Sequence, residues 1–282
     1  MKDKINIVWL KRDLRLSDHE PLHEAIKHNI KFIILYIFEP SLIEDEHTDN
    51  RHWRFILQSL NDIKDTLANY NKKLTISYGE ADEIFNQLIN KYEIKKIVSH
   101  EETGLTVTFN RDKKLQAIFK RNEIKWHEFQ SNAVIRGLNN RKVWEKKWIE
   151  VMRTKIKPIP IEEANITFHS FNQEKIPHFK TDDFHQVGGF SHGKKELDDF
   201  FDERGKDYYK FISKPEMSRL SCSRLSPYIA YGNISIREVY QKLLESWKKP
   251  GWRRSLAAFS SRLHWHCHFI QKYESEIEIE NR

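Results

Sequence analysis

The chain has 282 residues, a net charge of +7, and a composition that is 39% hydrophobic and 32% charged. No stretch approaches the roughly 18 consecutive apolar residues that cross a bilayer, and Lys11 and Arg12 interrupt the first apolar run, so we expect a cytoplasmic protein with no membrane partner. Two cysteines exclude a disulfide framework and a four-cysteine metal cluster, and the positive charge favours nucleic acid or another polyanion as a partner.

Short apolar runs alternate with helical patterns in the first 130 residues. In the stretch 50–68, apolar residues recur with the 3.6-residue period of an amphipathic helix. Such alternation is typical of a parallel sheet covered by helices on both faces. We therefore predict a doubly wound, five-stranded, Rossmann-like α/β domain over residues 1–130, with Ser17 or Asp18 as the N-cap of its first helix. The predicted strands are 5–10, 32–38, 74–78, 97–99 and 124–129.

The pattern changes after this domain. Residues 131–193 contain several prolines and glycines but few regular runs, which predicts an inter-domain connection with one helix near 141–155. From residue 194 the pattern is helical again, without a strand signal, and includes a long helix predicted over 252–273. We predict that residues 194–282 form the start of an all-α domain.

Segment 222–235 has the clearest local signature in this second half. Ser226 precedes Pro227, so it is placed to cap a helix whose first turn tolerates proline. Small polar residues at a helix N-terminus suit a phosphate or another anion. A capped core helix is the alternative interpretation, since such caps are common.

The same segment resembles the signature with which the photolyase/cryptochrome family wraps FAD. Residues 8–18 independently resemble the opening motif of that family, and Pro21 and Leu22 match the two residues that follow it. The two motifs stand in the family's order, and the resemblance extends over essentially the whole chain. It implies a photolyase-type α/β domain followed by only the first part of an all-α FAD-binding domain, because family members are usually longer.

The resemblance implies a set of FAD-binding residues. Cys222 stands where the family commonly has threonine, and Ser223 and Ser226 match hydroxyl positions near the flavin phosphates. His266 replaces an arginine that reaches FAD, and it is shorter and pH-dependent. Tyr208 resembles a tyrosine that touches FAD, with a packed core tyrosine as an equal alternative. The full predicted set is Tyr208, Cys222, Ser223, Arg224, Leu225, Ser226 and His266.

The resemblance also implies that the protein is a monomer that binds DNA, as a damaged duplex or a single strand. Trp265 matches a tryptophan on the DNA-facing side of the flavin cavity, and Arg262 replaces the acid usual at its position. Lys248 and Arg253 belong to a basic stretch that flanks Trp252 and suits phosphate contacts. A second basic stretch is 136–147, and solvated helix ends are the alternative for both.

Histidines in the last helix invite a metal interpretation. His264 and His268 are four residues apart and share one helix face, whereas His266 points the other way. Two histidines without a third ligand favour a face that lines the cavity, so we expect no metal site.

A second chromophore, a folate or a deazaflavin antenna, is implied for the α/β domain. Trp9, Lys11, Arg12 and Asp13 stand at the end of the first predicted strand, where open α/β sheets bind ligands. Glu102 lies in an acidic loop that resembles the family's loop on the same face. The alternative is a charge network of Arg12, Asp13 and Glu102 that closes the sheet edge.

The implied activity is FAD-dependent, light-driven repair of pyrimidine dimers in DNA, a lyase reaction on a dimer flipped out of the duplex. The departures from the family pattern at Arg262 and His266 keep a second function open, a non-repair blue-light photoreceptor that signals through a protein partner. A third hypothesis is an incomplete flavin cradle that binds no cofactor.

Overall fold

A computed structural model of the chain separates into two compact units. One comprises Met1–Phe129 and Pro158–Gly189, and the other comprises Gln130–Lys157 and Phe190–Arg282. The segment 131–193, predicted as a connection, is divided between the two units. The described residues are 2–28, 30–138, 141–171, 176–182 and 184–281.

Parallel strands form the centre of the first unit. In its described part they are β1 (Lys4–Leu10), β2 (Phe32–Phe38), β3 (Thr75–Tyr78), β4 (Glu93–His100), β5 (Lys125–Phe129) and β6 (Ile166–Thr167). The order β3-β2-β1-β4-β5 places β1 in the middle of the sheet, with Val8 opposite Ile34 on one side and Val98 on the other. Every residue of β2 is buried, as expected for strands covered by helices on both faces. The predicted five-stranded, doubly wound sheet is confirmed.

Strand β6 is an addition to that prediction. It pairs with the start of β2 at Phe32 and Ile33, whereas β3 pairs with the end of β2 from Leu35 onward. Two residues are too few to show an alternating pattern, so the sequence carries no signal for this strand. Part of the segment predicted as a connection therefore belongs to the sheet.

The helices of this unit are α1 (Glu20–Lys27), α2 (Pro40–Ile43), α3 (Asn50–Ala68), α4 (Ala81–Lys91) and α5 (Thr106–Arg121). The prediction that Ser17 or Asp18 caps α1 is wrong. His19 is the N-cap, and its Nδ1 accepts a hydrogen bond from the backbone N–H of Leu22 at 3.1 Å. Asp18 has a φ of 46°, so the chain turns through the left-handed region and brings the imidazole to the helix end.

Trp9 lies at the centre of the core of this unit. Its ring meets Phe85 edge-on at 5.1 Å between centroids and lies 5.8 Å from Trp126. Trp9 is the penultimate residue of β1 and is buried, so the polar residues that follow the strand lie next to an apolar core ring.

The second unit is helical. Its helices are α6 (Trp144–Arg153), α7 (Phe190–Asp202), α8 (Tyr208–Phe211), α9 (Pro215–Ser221), α10 (Ser226–Ala230), α11 (Ile236–Glu245) and α12 (Arg253–Ser275). No strand occurs among the described residues of this unit, which agrees with the predicted all-α region. In the part of the chain that the structure describes, no helix has both the length and the apolar character needed to cross a membrane.

Aromatic rings form the core of the helical unit. Phe200 lies 4.7 Å from Phe259, and Tyr208 lies 5.6 Å from each of them. The 23 residues of α12 give it a length of about 34 Å. Ser235 and Glu238 form a capping box that starts α11.

Candidate functional site

The predicted flavin signature forms a loop between α9 and α10, which we call the flavin loop (residues 222–226). Leu225 is fully buried and anchors it, while Cys222, Ser223 and Arg224 are half-buried and Ser226 is exposed. Arg224 has a φ of 57°, a left-handed conformation that costs a non-glycine residue free energy and is concentrated at functional sites. Within the loop Ser226 thus faces solvent, and the polar side chains of residues 222–224 are partly accessible.

The helix after the loop begins differently from the prediction. Leu225, not Ser226, is the N-cap of α10, and no side chain makes a capping hydrogen bond there. Ser226 is the first helical residue, because the carbonyl of Leu225 already accepts the N–H of Ile229 at 2.9 Å. The N-cap assignment is corrected by one residue, and it leaves the Ser226 hydroxyl outside the cap.

Arg204 anchors the start of the flavin loop by a hydrogen bond to the backbone of Cys222. It donates from Nη1 to the carbonyl oxygen of Cys222 at 2.5 Å and from Nη2 to Glu196 Oε2 at 2.6 Å. Glu196 also lies 3.5 Å from Nε of Arg224, so one carboxylate joins two arginines. The sequence did not predict the roles of Arg204 and Glu196, because their positions in the chain carry no local pattern that indicates contact with a loop some 20 residues away.

The two other predicted flavin contacts differ in their surroundings. Tyr208 is 7% exposed and packs in the aromatic core against Phe200 and Phe259, and burial raises its pKa to about 12. His266 is half-buried on α12, between exposed Trp265 and buried Cys267. Tyr208 is thus packed in the aromatic core, and contact of either residue with a flavin stays a prediction.

The residues predicted to contact DNA fall at two places along α12. Trp265 is 47% exposed, and the guanidinium of Arg262 lies over its ring at 4.3 Å. Lys248 and Arg253 are exposed near the start of α12, and Arg253 lies about 18 Å along the helix axis from Trp265. They therefore do not form one compact patch with Arg262.

The tryptophan predicted to interleave with these basic residues is not accessible. Trp252 is buried, with Lys249 over its ring at 4.3 Å, whereas Trp247 is half-buried and has Arg253 over its ring at 5.3 Å. The indole available to a ligand in this stretch is thus Trp247. In the other basic stretch, 136–147, residues 139 and 140 lie outside the described residues.

His264 and His268 do share one face of α12, and that face is packed. Their rings lie 5.0 and 5.8 Å from Trp144, and His264 also lies 5.0 Å from Trp148. Burial lowers the pKa of His264. These histidines are therefore packing partners of the indoles of α6.

A second cluster lies at the carboxyl edge of the sheet. Strands β1, β2, β4 and β5 end there, and the carboxyl ends of parallel strands deliver side chains to one edge. Helix α5 adds its own charged residues to the same edge. We call this group the edge cluster: Lys11, Asp13, His19, Glu39, His100, Glu102, Arg111, Asp112 and Glu128.

Arg111 is the hub of the edge cluster. Its guanidinium lies 2.7 Å from Glu39, 2.6 Å from Glu102 and 2.9 Å from Asp112, and it covers the ring of Trp9 at 4.8 Å. Burial raises the pKa of Glu39 to about 7, against the opposing effect of Arg111. Burial thus outweighs the guanidinium in setting the protonation of Glu39.

Lys11 also lies over the ring of Trp9. Its Nζ lies 4.8 Å from the Trp9 centroid, 3.1 Å from Asp112 and 3.5 Å from Glu128. Trp9 is 1% exposed, so both cations and the core enclose it. It was predicted to stand where an antenna ligand approaches, and the structure instead buries it.

Asp13 joins two buried histidines. His100 Nδ1 lies 2.6 Å from Asp13 Oδ2, and His19 Nε2 lies 2.9 Å from the same oxygen, off the line of an ideal hydrogen bond. Among the described residues this trio has ligand atoms close enough to hold a metal ion. However, His19 Nδ1 accepts the N–H of Leu22, so in the neutral ring Nε2 carries the proton and offers no lone pair. We therefore assign the trio as a polar cluster in which Asp13 accepts a hydrogen bond from His100 and lies within ion-pair distance of His19.

The charge network proposed as the alternative exists with other members. Asp13 pairs with His19 and His100, Glu102 pairs with Arg111, and Arg12 is exposed. The sequence predicts a direct network of Arg12, Asp13 and Glu102, whereas these ion pairs join Asp13 and Glu102 to other residues. The network closes the sheet edge, but helix α5 supplies its central cation.

Comparison with known proteins identifies the family. The model of the DNA photolyase family matches residues 6–157, more than half of the chain. Cryptochrome DASH from Synechocystis sp. is 26% identical over 84% of this chain and 54% of its own length, so the chain spans about half of that relative. The fold matches a class III photolyase from Agrobacterium tumefaciens (TM-score 0.81, 21% identity, 99% of this chain and 60% of that chain). It also matches an archaeal photolyase from Sulfolobus tokodaii, solved with two FAD molecules (TM-score 0.74, 23% identity, 96% of this chain and 60% of that chain). The chain belongs to the DNA photolyase family.

Proposed function

We propose that the helical unit binds FAD through the flavin loop and that the protein supports light-driven repair of pyrimidine dimers in DNA. The observation that carries this proposal is the arrangement of the loop. Two hydroxyls, Ser223 and Ser226, and the guanidinium of Arg224 are accessible within four residues, and buried Leu225 holds the backbone that bears them. Hydroxyl and guanidinium donors are suited to the oxygens of a diphosphate.

These residues fit the phosphate part of the cofactor. Arg224 supplies a cation, and Ser223 and Ser226 supply hydroxyl donors. Arg204 fixes the carbonyl of Cys222 and so positions the start of the loop. When bound, FAD supplies the light-driven electron-transfer chemistry, and the protein contributes binding and orientation.

For the DNA side of the proposal, Trp265 and Arg262 form an exposed aromatic and cationic pair on α12. An indole face stacks on a base, and a guanidinium contacts phosphate. Lys248 and Arg253 lie near the other end of that helix and suit sequence-independent contacts with the backbone. A monomeric state and a cytoplasmic location remain predictions.

The loop proposal is tested by the two cysteines, which report on different places. Cys222 is half-buried in the loop, whereas Cys267 is fully buried and burial raises its pKa to about 11. We expect iodoacetamide to modify Cys222 first, because a buried protonated thiol is inert. Bound FAD should slow modification of Cys222, measured by mass spectrometry, and leave Cys267 unchanged as the internal control.

A matched pair of variants completes this test. Ser223→Ala with Ser226→Ala should weaken FAD binding at least about tenfold, which corresponds to the loss of about one hydrogen bond to a charged group. Ser213→Ala removes an exposed hydroxyl of the same unit and should leave binding unchanged. If saturating FAD leaves the rate of Cys222 modification unaltered, the loop does not hold the cofactor.

A photoreceptor without repair activity is the second candidate. The relative that favours it is named a cryptochrome, and Arg262 and His266 depart from the family pattern at the predicted flavin and DNA side. Blue-light illumination of a dimer-containing oligonucleotide, with a dark control, separates the two functions. Repair supports the first, and bound flavin without repair supports the second.

A further inference from the structure

A pocket of about 510 Å³ opens on the helical unit, between α6, α11 and α12. Tyr240, Leu243 and Leu244 of α11 form its apolar wall. None of its lining residues belongs to the flavin loop, so it is separate from the site proposed for FAD. We call it the α11 pocket.

The α11 pocket carries excess positive charge. Arg153, the last residue of α6, and Lys248, at the end of a short 3₁₀ helix, line it from different elements. Both are exposed, and neither has an ion-pair partner among the described residues. The acidic lining residue is Glu245, which lies 3.9 Å from Lys242 and is therefore partly neutralised.

An aromatic ring borders the same pocket. Trp247 lines it and is half-buried, and the guanidinium of Arg253 lies 5.3 Å from its ring centroid. Ser260 of α12 adds a hydroxyl. A flat aromatic ring stacks favourably on an indole, and cations beside that ring select a negatively charged ligand.

The size and the chemistry together define a ligand class. Small-molecule sites usually have volumes of roughly 300–1,000 Å³, an apolar lining and a few polar groups. We propose that the α11 pocket binds a nucleoside monophosphate group, with the base against Trp247 and the phosphate at Arg153 and Lys248. The group comes either from a free nucleotide or from the 5′-phosphorylated end of a single strand.

The test measures binding of AMP to the flavin-free 282-residue chain by calorimetry. Arg153→Gln combined with Lys248→Gln should weaken AMP binding at least about tenfold, and Trp247→Leu should weaken it by a similar factor. Lys195→Gln combined with Lys206→Gln removes the same charge from exposed positions of the helical unit that do not line the pocket, and it should leave binding unchanged. Thermal unfolding of each variant verifies that it is folded.

Further measurements distinguish free nucleotide from a strand end as the ligand and the α11 pocket from the flavin loop as the binding site. Tighter binding of a 5′-phosphorylated thymidine hexamer than of AMP assigns the pocket to strand ends, and the reverse assigns it to free nucleotide. Binding of inorganic phosphate as tightly as AMP would overturn the role of Trp247. Binding lost in the flavin-loop variant with Ser223→Ala and Ser226→Ala, but kept in the Arg153 and Lys248 variant, would place AMP at the flavin loop and overturn the proposal. Absence of AMP binding at millimolar concentration would overturn it as well.

Discussion

In the α/β unit most members of the edge cluster are buried and paired, whereas in the helical unit the flavin loop and the α11 pocket have polar groups that reach solvent. Glu39 and Asp13 are enclosed with Arg111 and with two histidines, respectively. Ser226 and Lys248 are exposed. Buried charges are costly to separate from their partners, while exposed ones contribute little to stability and remain available for ligands. The edge cluster should therefore govern stability, and the helical unit should govern binding.

The largest expected effect tests the hub of the edge cluster. Arg111→Met removes the cation between Glu39, Glu102 and Asp112, and it should lower the free energy of unfolding by about 3–5 kcal/mol, because buried carboxylates lose their partner. Urea denaturation measures this change. Arg121→Met, at the exposed end of the same helix, is the control and should change stability by no more than about 0.5 kcal/mol. Equal effects of the two variants would contradict the assignment of Arg111 as the buried hub of the edge cluster.

Asp13→Asn tests the histidine cluster and should cost about 3 kcal/mol near pH 6. Burial opposes the ionisation of Asp13, but His19 and His100 outweigh it and hold its pKa well below 3.8. Burial likewise disfavours charged His100, but its hydrogen bonds to Asp13 and Glu20 outweigh that and raise its pKa above 6.5.

These two shifts give the variant a characteristic pH profile. The raised pKa of His100 stabilises the fold below about pH 6.5, and this contribution is lost as pH rises through the folded value. The lowered pKa of Asp13 stabilises it above about pH 3.8 and is lost as pH falls further. Asp13→Asn should thus cost less at pH 9 than at pH 6, whereas exposed Asp65→Asn should show no such trend. An equal cost at both pH values would argue against the charged pair.

Glu39→Gln tests a carboxyl whose pKa shifts in the opposite direction from that of Asp13. Burial raises the pKa of Glu39 from 4.5 to about 7, so the folded state retains a proton that the unfolded state has released. Its contribution is fully present below about pH 4.5 and is lost as pH rises through 7, by no more than about 3 kcal/mol. The variant should lose less stability between pH 5 and 8 than the natural chain, as followed by urea denaturation at each pH. Parallel pH profiles would show that Glu39 is ionised throughout.

The smallest effect is expected on the exposed face of α12. Trp265→Ser combined with Phe269→Ser should change the free energy of unfolding by no more than about 0.5 kcal/mol per site, because these rings are 47% and 58% exposed. Phe259→Ala on the same helix should cost about 3–5 kcal/mol, since its ring is buried in the aromatic core. A large loss of stability in the double variant would mean that this face is structural. Thermal and urea unfolding measure both variants.

Local patterns predicted the α/β unit well, since a fully buried strand has to be a continuous apolar run. The predicted strand 32–38 coincides with β2, and the predicted helix 50–68 coincides with α3. The cap of α1 could not be predicted in this way. His19 serves as N-cap only because Asp18 adopts a left-handed conformation, and sequence preference favours Ser or Asp at that position.

The candidate sites show the same division. Motif resemblance found the flavin loop, but it did not find Arg204 and Glu196, which hold that loop through contacts across α7 and the following turn. In the same way, the basic stretch near α12 pointed to Trp252, and packing buried that ring and left Trp247 accessible.

By itself the sequence determined most of the succession of strands and helices, the family motifs and the excess positive charge, because each depends on residues that are neighbours in the chain. The tertiary structure alone decided which charges are paired. Lys11, Arg111 and Glu128 are brought together by the parallel sheet and α5, although more than 100 residues separate the first from the last. Burial then set the pKa of Glu39, since the cost of removing a charge from water depends on the surroundings and not on the neighbours in the chain.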